Sequence, residues 1–541
     1  MPSKNPPYRY GYLFVILLTS TALSLTPSMA QSEDKHWIGE SDYWTTDINW
    51  DPIGTPQSGD SVHIIHADSL NRTILYPHEP IPELDLSNLE IENRGDGHTR
   101  LIQEENSLNT NQATIGILGS AQWEQSGGNN FTDNFNLGFE PTGTGIYILE
   151  NDAHLTTSNE YIGVLGAGEF IQLDGSHTVN AQLTLAEEQD SAGLYELRDG
   201  TVRAREAFIG LRGTGDFIQS GGESNIRMLF IGGRALEIFE QDIKGTGTYN
   251  LSDGELNTTT LAIGLHGKGT FIQTGGSVAV QEHFFLASLR YGVADGSYIL
   301  ENGNLTSNNA WIGWTATGPA IFTQNDGVHN VTHDLDIFGP SSDSVYNLNA
   351  GSLNVSRLIS NHSVFNFRGG ELITPLFFNG GTLNPVGMQT LSGDFRGLGT
   401  LNIELRSGLS DSLTVDGNAD LSFGGDINVT LAESFEPHTG DVFDVLIAGS
   451  IGGFENINFE LPELPLKEIR TYLVDNTIQL RVMSGNFDGD NDIDFSDFMV
   501  FAATFGSCEG NPNYLPSADY DADGCITFLD YGIWFGYFQN Q

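Results

Sequence analysis

Through most of the chain, apolar and polar residues alternate in short runs separated by Gly, Asn, Asp and Ser, as in "GTYNLSDGELNTTTLAIGLHGKGTFIQTGG" from Gly247. Period-two alternation sends successive side chains to opposite faces of a strand. Because the separators are turn formers, the pattern predicts short strands joined by tight turns. The runs also repeat. One unit reads Ile-Gly, a glycine-rich turn, then aromatic-x-Gln: "IGVLGAGEFIQLDG" from Ile162, "IGLRGTGDFIQSGG" from Ile209 and "IGLHGKGTFIQTGG" from Ile263, with an earlier copy, "IGILGSAQWEQSGG", from Ile115. Between these lies a second unit: "GLYELRDGTV", "GTYNLSDGEL", "GSYILENGNL" and "SVYNLNAGSL". The aromatics Trp123, Tyr147, Phe170, Tyr195, Phe217, Tyr249, Phe271, Tyr298, Phe322, Tyr346 and Phe365 mark the register, mostly 22 to 27 residues apart. No stretch among them has helical periodicity.

A unit this short cannot bury its own apolar face, whereas stacked units bury a continuous core. Two stackings compete. A double unit would fit one four-stranded propeller blade, but the likeness of the two half-units argues for equivalent rungs. The expectation is a mainly β protein: a right-handed parallel β-helix over residues 111–385, on the order of 50 Å long at ~4.8 Å per rung. Tyr195, Tyr249 and Tyr298 should stack in one file. Gln125, Gln172, Gln219, Gln273 and Gln324 alternate with Leu149, Leu197, Leu251, Leu300 and Leu348, and each glutamine is expected to satisfy the backbone of its own Gly turn. The insertion "RALEIFEQDIKG" should bulge from one corner. Residues 31–110, tryptophan-rich, read as an N-terminal β cap over the first rung. Residues 386–484 alternate without the rung pattern and read as a β-sandwich-like region or a terminal solenoid coil.

Charge narrows the partners. Asp and Glu number 70 against 22 Lys and Arg, a formal charge of -48, which disfavours nucleic acid and anionic membrane and favours metal cations or neutral extracellular glycans. Residues 1–30 read as a signal peptide: Lys4 and Arg9, an apolar stretch from Leu13 to Leu25, and Ser28-Met29-Ala30 at the cleavage site. No segment is long and apolar enough to span a membrane, so a secreted or cell-surface location is expected. The W…NW…P…GD-V-I opening (from Trp44), the glycine-rich rungs and the GTLNIEL…GDVFDVL ending (from Gly399) resemble the passenger-type β-solenoids of exported bacterial proteins, with autotransporter-like repeats. The resemblance spans most of residues 31–484 and implies fold and surface location.

Near the C-terminus, "NFDGDNDIDFSD" puts Asn486, Asp488, Asp490, Asp494 and Asp497 at loop positions 1, 3, 5, 9 and 12, with the Asp492 carbonyl at position 7. This is the spacing with which EF-hand loops wrap Ca2+ in six to eight oxygens. "DYDADGCITFLD" repeats it with Asp519, Asp521, Asp523, Thr527 and Asp530, and the Cys525 carbonyl at position 7. Asn491 and Gly524 hold position 6. Ile493 and Ile526 fall at position 8, where paired loops usually bridge to each other. Phe498, Phe501 and Phe505, then Trp534 and Phe538, predict a helix after each loop. Two such loop–helix units, residues 485–541, resemble the type I dockerin module. The resemblance implies two bound Ca2+ ions and a cohesin-like or other cell-surface partner, although positions 10 and 11 are Phe495-Ser496 and Phe528-Leu529 where that family commonly has Ser-Thr. Export lets Cys508 and Cys525 pair, closing a loop of about 18 residues, the alternative being two free thiols.

Elsewhere the chemistry is sparse. Asp174, Asp199 and Asp253 each precede Gly, which is turn chemistry. His329 and His333, four apart on a strand, lie ~13 Å apart, too far to share an ion, and read as surface residues. No nucleophile elbow, phosphate loop or zinc signature occurs. The functional expectation is an exported, non-catalytic β-solenoid with a calcium-dependent module for attachment or assembly. The alternative is a β-helix polysaccharide hydrolase or lyase delivered by that module.

Overall fold

The computed structural model describes residues 32–539, apart from 80, 234–244, 289–293, 315–317, 340–342, 398, 466 and 491. The signal segment, nearly all of the insertion after Gly233, and Asn491 lie outside the described residues. The chain is 58% strand and 6% helix, and its strands wind into a β-solenoid of about 16 turns.

From Ser120 to Leu348 each strand pairs in parallel with the next but one in sequence, so two kinds of strand build two ladders. The first is straight: Thr144–Leu149 pairs with Ala167–Gln172 and this with Ala192–Leu197, in the register Tyr147↔Phe170↔Tyr195. The second is longer and bends at an irregularity: His154–Ile162 pairs with Ser176–Leu185 and this with Thr201–Ile209. A propeller blade would pair consecutive strands antiparallel, and this pattern excludes it. Parallel pairing is not confined to residues 111–385. It begins with Asp34–Trp37 against Ser61–His66 and runs on to Ile457–Glu460, so the region read as a cap contributes rungs, and of the two readings of 386–484 the pairing follows the terminal solenoid coil. Trp37, Trp44 and Trp50 pack edge to face at the N-terminal end. At the other end the pairing turns antiparallel, Lys467–Val474 against Thr477–Ser484.

The register marks do stack. From Phe170 to Phe322 the rings lie 4.7 to 4.9 Å apart and within 10° of parallel, the spacing of the rungs themselves. Burying each ring is worth roughly 1.5–3 kcal/mol. The file alternates Phe and Tyr because each Tyr hydroxyl needs an acceptor, and the preceding rung supplies it: Tyr195 donates to Gln172 Oε1 at 2.7 Å, Tyr298 to Gln273 at 2.6 Å and Tyr346 to Gln324 at 2.8 Å. The same glutamine's amide donates both to its own Gly turn, as expected, and to the following rung: Gln273 Nε2 reaches Gly276 O at 3.2 Å and Asn304 O at 3.1 Å. A Phe-Gln rung and a Tyr-Leu rung are therefore one polar-satisfied unit, which is why the sequence repeats in pairs. At the turns Asp199 accepts the N–H of Gly200 at 2.7 Å, and Gly200 takes φ +81°, open to glycine at little cost.

Candidate metal centre

Two helices follow the two acidic loops, Phe495–Thr504 and Phe528–Gln539. The first is started by a capping box: Asp494 accepts from Ser496 N at 2.6 Å, and Asp497 accepts from Asp494 N at 2.8 Å. Asp497 is fully buried and its other oxygen accepts the backbone N–H groups of Phe487 and Asp488, tying the end of the loop to its beginning. The second loop repeats this. Buried Asp530 accepts from Tyr520 N at 2.6 Å, Asp521 N at 3.2 Å and Thr527 N at 2.7 Å. The last aspartate of each loop is thus a structural clamp as well as a candidate ligand.

The carboxylates converge in two groups. Oxygens of Asp492, Asp494 and Asp497 lie within 4.8 Å of one another, as do those of Asp519, Asp521 and Asp523. Three loop carboxylates are pushed above the usual range: Asp488 by desolvation and then by Asp497 and Asp490, Asp492 chiefly by Asp490, and Asp521 by desolvation with Asp530 and Asp523 adding. In the second loop Asp519 is 1% exposed. Its Oδ2 accepts from Gly524 N at 3.0 Å and Tyr514 O–H at 2.5 Å, while its Oδ1 has no hydrogen-bond partner among the described residues. An ionised oxygen buried without a donor is costly unless a cation meets it, so the donor set, all oxygen and net negative, fits a hard divalent ion.

No protein-family model matches this chain, and no curated protein matches it either.

Cys508 and Cys525 form a disulfide, S–S 2.05 Å, across an antiparallel bridge leading into the second loop. Ile493 and Ile526 are both buried, but the position-8 bridge is corrected: Ile526 O accepts from Gly506 N and Ile526 N donates to Ser507 O, each at 2.8 Å. The disulfide pins that segment beside the loop. Asp492, expected to offer its carbonyl, also brings its carboxylate into the first group. The module is no free tail. Trp534 Nε1 donates to Gly485 O at 3.0 Å, Tyr520 O–H to Ser484 O at 2.7 Å and Tyr472 O–H to Tyr520 O at 2.7 Å, while Arg470 lies over Tyr520 at 5.6 Å. The last hairpin of the rod is therefore the module's floor.

On the rod, Asp174, Asp199 and Asp253 each accept the N–H of the following Gly at 2.7 Å, as their turn chemistry implied. His329 is corrected: it is fully buried, stacked 4.9 Å from Phe322, with Nδ1 3.1 Å from the Tyr346 hydroxyl. An irregularity between Val331 and Asp334 breaks the alternation, leaving His333 exposed. A second buried histidine went unread. His177 lies 2.9 Å from the Tyr195 hydroxyl and 2.8 Å from buried Glu160. The signal was available: a polar residue five positions after the glutamine, as in Gln172/His177, Gln219/Ser224 and Gln324/His329, marks a second partner for the next Tyr. Sealed in the core, the Glu160–His177 pair has no access to a polymeric substrate.

Proposed function

We propose that the chain is an exported, non-catalytic β-solenoid whose C-terminal module binds two Ca2+ ions and serves attachment or assembly. The reading is carried by one observation: buried Asp519, in the second of two loops of equal spacing, presents an oxygen that has no hydrogen-bond partner among the described residues. In the first loop Asn486, Asp488, Asp490, Asp494 and Asp497, with the carbonyl of Asp492, would hold one ion. In the second, Asp519, Asp521, Asp523, Thr527 and Asp530, with the carbonyl of Cys525, would hold the other. The ion's part is to neutralise the clustered carboxylates, so that both helices keep their starts and the module offers a fixed surface. Phe495, Phe528 and Leu529, 67%, 79% and 68% exposed at the helix starts, favour an apolar partner surface over the Ser-Thr type of contact. The non-catalytic part rests on the repeated aspartates being turn residues.

Calorimetric titration of the full chain with Ca2+ tests the reading. Two sites, lost one each in Asp519→Ala and Asp490→Ala, support it. Absence of any binding heat, or binding unchanged in both variants, overturns it.

A further inference from the structure

The bent strands carry one file that the core does not use. Phe285 lies between buried Phe284 and Leu286, and Trp311 between buried Ala310 and Ile312, so alternation points both rings away from the core. They are in register and stacked, 5.1 Å apart and 20° from parallel. Trp314 extends the stack at 6.3 Å and is 49% exposed, while His283 sits 5.4 Å from Trp311. The next register position is Asp336, whose short side chain ends the stack. Earlier rungs of the same file hold Asn136, Tyr161, Thr184, Phe208, Phe230 and Ala262, so rings recur along it, but none of these is an indole, and Phe208 is buried where Trp314 is half exposed.

We infer that this strip, Phe285–Trp311–Trp314 edged by His283 and Asp336, binds a neutral glycan chain laid along the rod. A sugar ring offers an apolar C–H face and a rim of hydroxyls, and the strip offers the complement. Its rings give the apolar platform. Beside them His283 and Asp336 are half-buried, bringing an imidazole and a carboxylate to the rim for hydroxyls or the waters that bridge to them. The width favours a single polymer chain over a protein. A protein contact needs about 800 Å² on each side, whereas this file is one residue wide, with Asn309 and Thr260 on the adjacent outward file. The formal charge of -48 disfavours polyanionic glycans. This inference is independent of the calcium module.

The test is affinity electrophoresis of the full chain through native gels containing mixed-linkage β-glucan, xyloglucan, arabinoxylan or galactomannan, with pectin as the polyanion. Retardation is expected in at least one neutral gel, weakened at least tenfold in Trp314→Ala and in Phe285→Ala and unchanged in Asp490→Ala. Trp314 is half exposed, so its replacement leaves the rungs intact, and circular dichroism checks this. No retardation in any neutral gel, retardation on pectin alone, or retardation that Trp314→Ala retains would each overturn the inference.

Discussion

The rod and the C-terminal module bury polar groups by opposite means. In the rod every Tyr hydroxyl of the aromatic file meets a glutamine from the rung before, and that glutamine's amide spans two turns of backbone. Along this file donors and acceptors are matched within the chain. In the module acceptors outnumber donors, and buried Asp519 keeps one oxygen with no partner among the described residues. A self-satisfied network is rigid under any solution condition that leaves it neutral, whereas a surplus of acceptors makes folding conditional on an outside charge. The core sizes point the same way: the module's cluster is Met483, Ile493, Phe501, Ala518, Tyr520, Ile526 and Trp534, too small to offset much repulsion.

The largest expected effect follows from that contrast. Removing Ca2+ with a chelator should abolish the helical circular dichroism of residues 495–539 and leave the exchange protection of the rod's core rungs unchanged. At a free Ca2+ concentration 100 times the dissociation constant, each site contributes about 2.7 kcal/mol, and losing two is comparable to the whole stability of so small a unit. The change should also expose Tyr472 and the final hairpin to proteolysis, because Tyr520 and Trp534 cover them. Equal helix content with and without chelator would erase the distinction between the two regions.

Next in size is an attack on the rod's own matching. Gln273→Leu substitutes the residue found at alternate rungs, so shape is nearly kept, but the Tyr298 hydroxyl and Asn304 O lose the glutamine as partner, and Gly276 O keeps only the Asn304 N–H. Losing these bonds costs about 4 kcal/mol in all. Tyr298→Phe orphans only the glutamine oxygen and should cost about 2 kcal/mol. Hydrogen exchange on the neighbouring rungs is the measurement, since a long repeat need not unfold in one step. If the two variants cost the same, the amide's links to the turns carry no weight.

Much of this was legible in the sequence because a repeat displays its constraints many times over. The register aromatics, the Asp-Gly turns and the stacked file all followed from copies that agree. The rod's ends were not legible in the same way: rungs such as Thr400–Leu405 replace the aromatic with Leu401, and the Tyr-Gln pairing that marks a rung disappears while the pleat continues. His329 was misplaced because two-residue alternation was carried through an irregularity at Val331–Asp334. In the module, loop spacing located the carboxylates, but the burial of Asp519 and the floor provided by Arg470 and Tyr472 depend on contacts across dozens of residues.

The smallest effect distinguishes two histidines that occupy equivalent places in the rod. Each sits beside a Tyr hydroxyl that already donates to a glutamine, so each must offer Nδ1–H to that hydroxyl oxygen. His177 Nε2 then lies 2.8 Å from a Glu160 carboxylate oxygen. His329 Nε2 faces no acceptor among the described residues, and burial pushes its pKa down to about 3. The folded value lies below the unfolded one of about 6.5, so as pH falls below 6.5 the unfolded chain takes up a proton that the folded chain refuses, and stability drains away. The slope approaches about 1.4 kcal/mol per pH unit below pH 6. His329→Val places at this position the residue type that Val278 already supplies five residues after Gln273. It should leave the Tyr346–Gln324 bond intact and remove this acid sensitivity. The midpoint of denaturant unfolding for the rungs around Tyr346, compared between wild type and variant from pH 8 to pH 4.5, should shift progressively in favour of the variant. Parallel profiles would mean that His329 finds an acceptor in solution, and that the rod matches even this group.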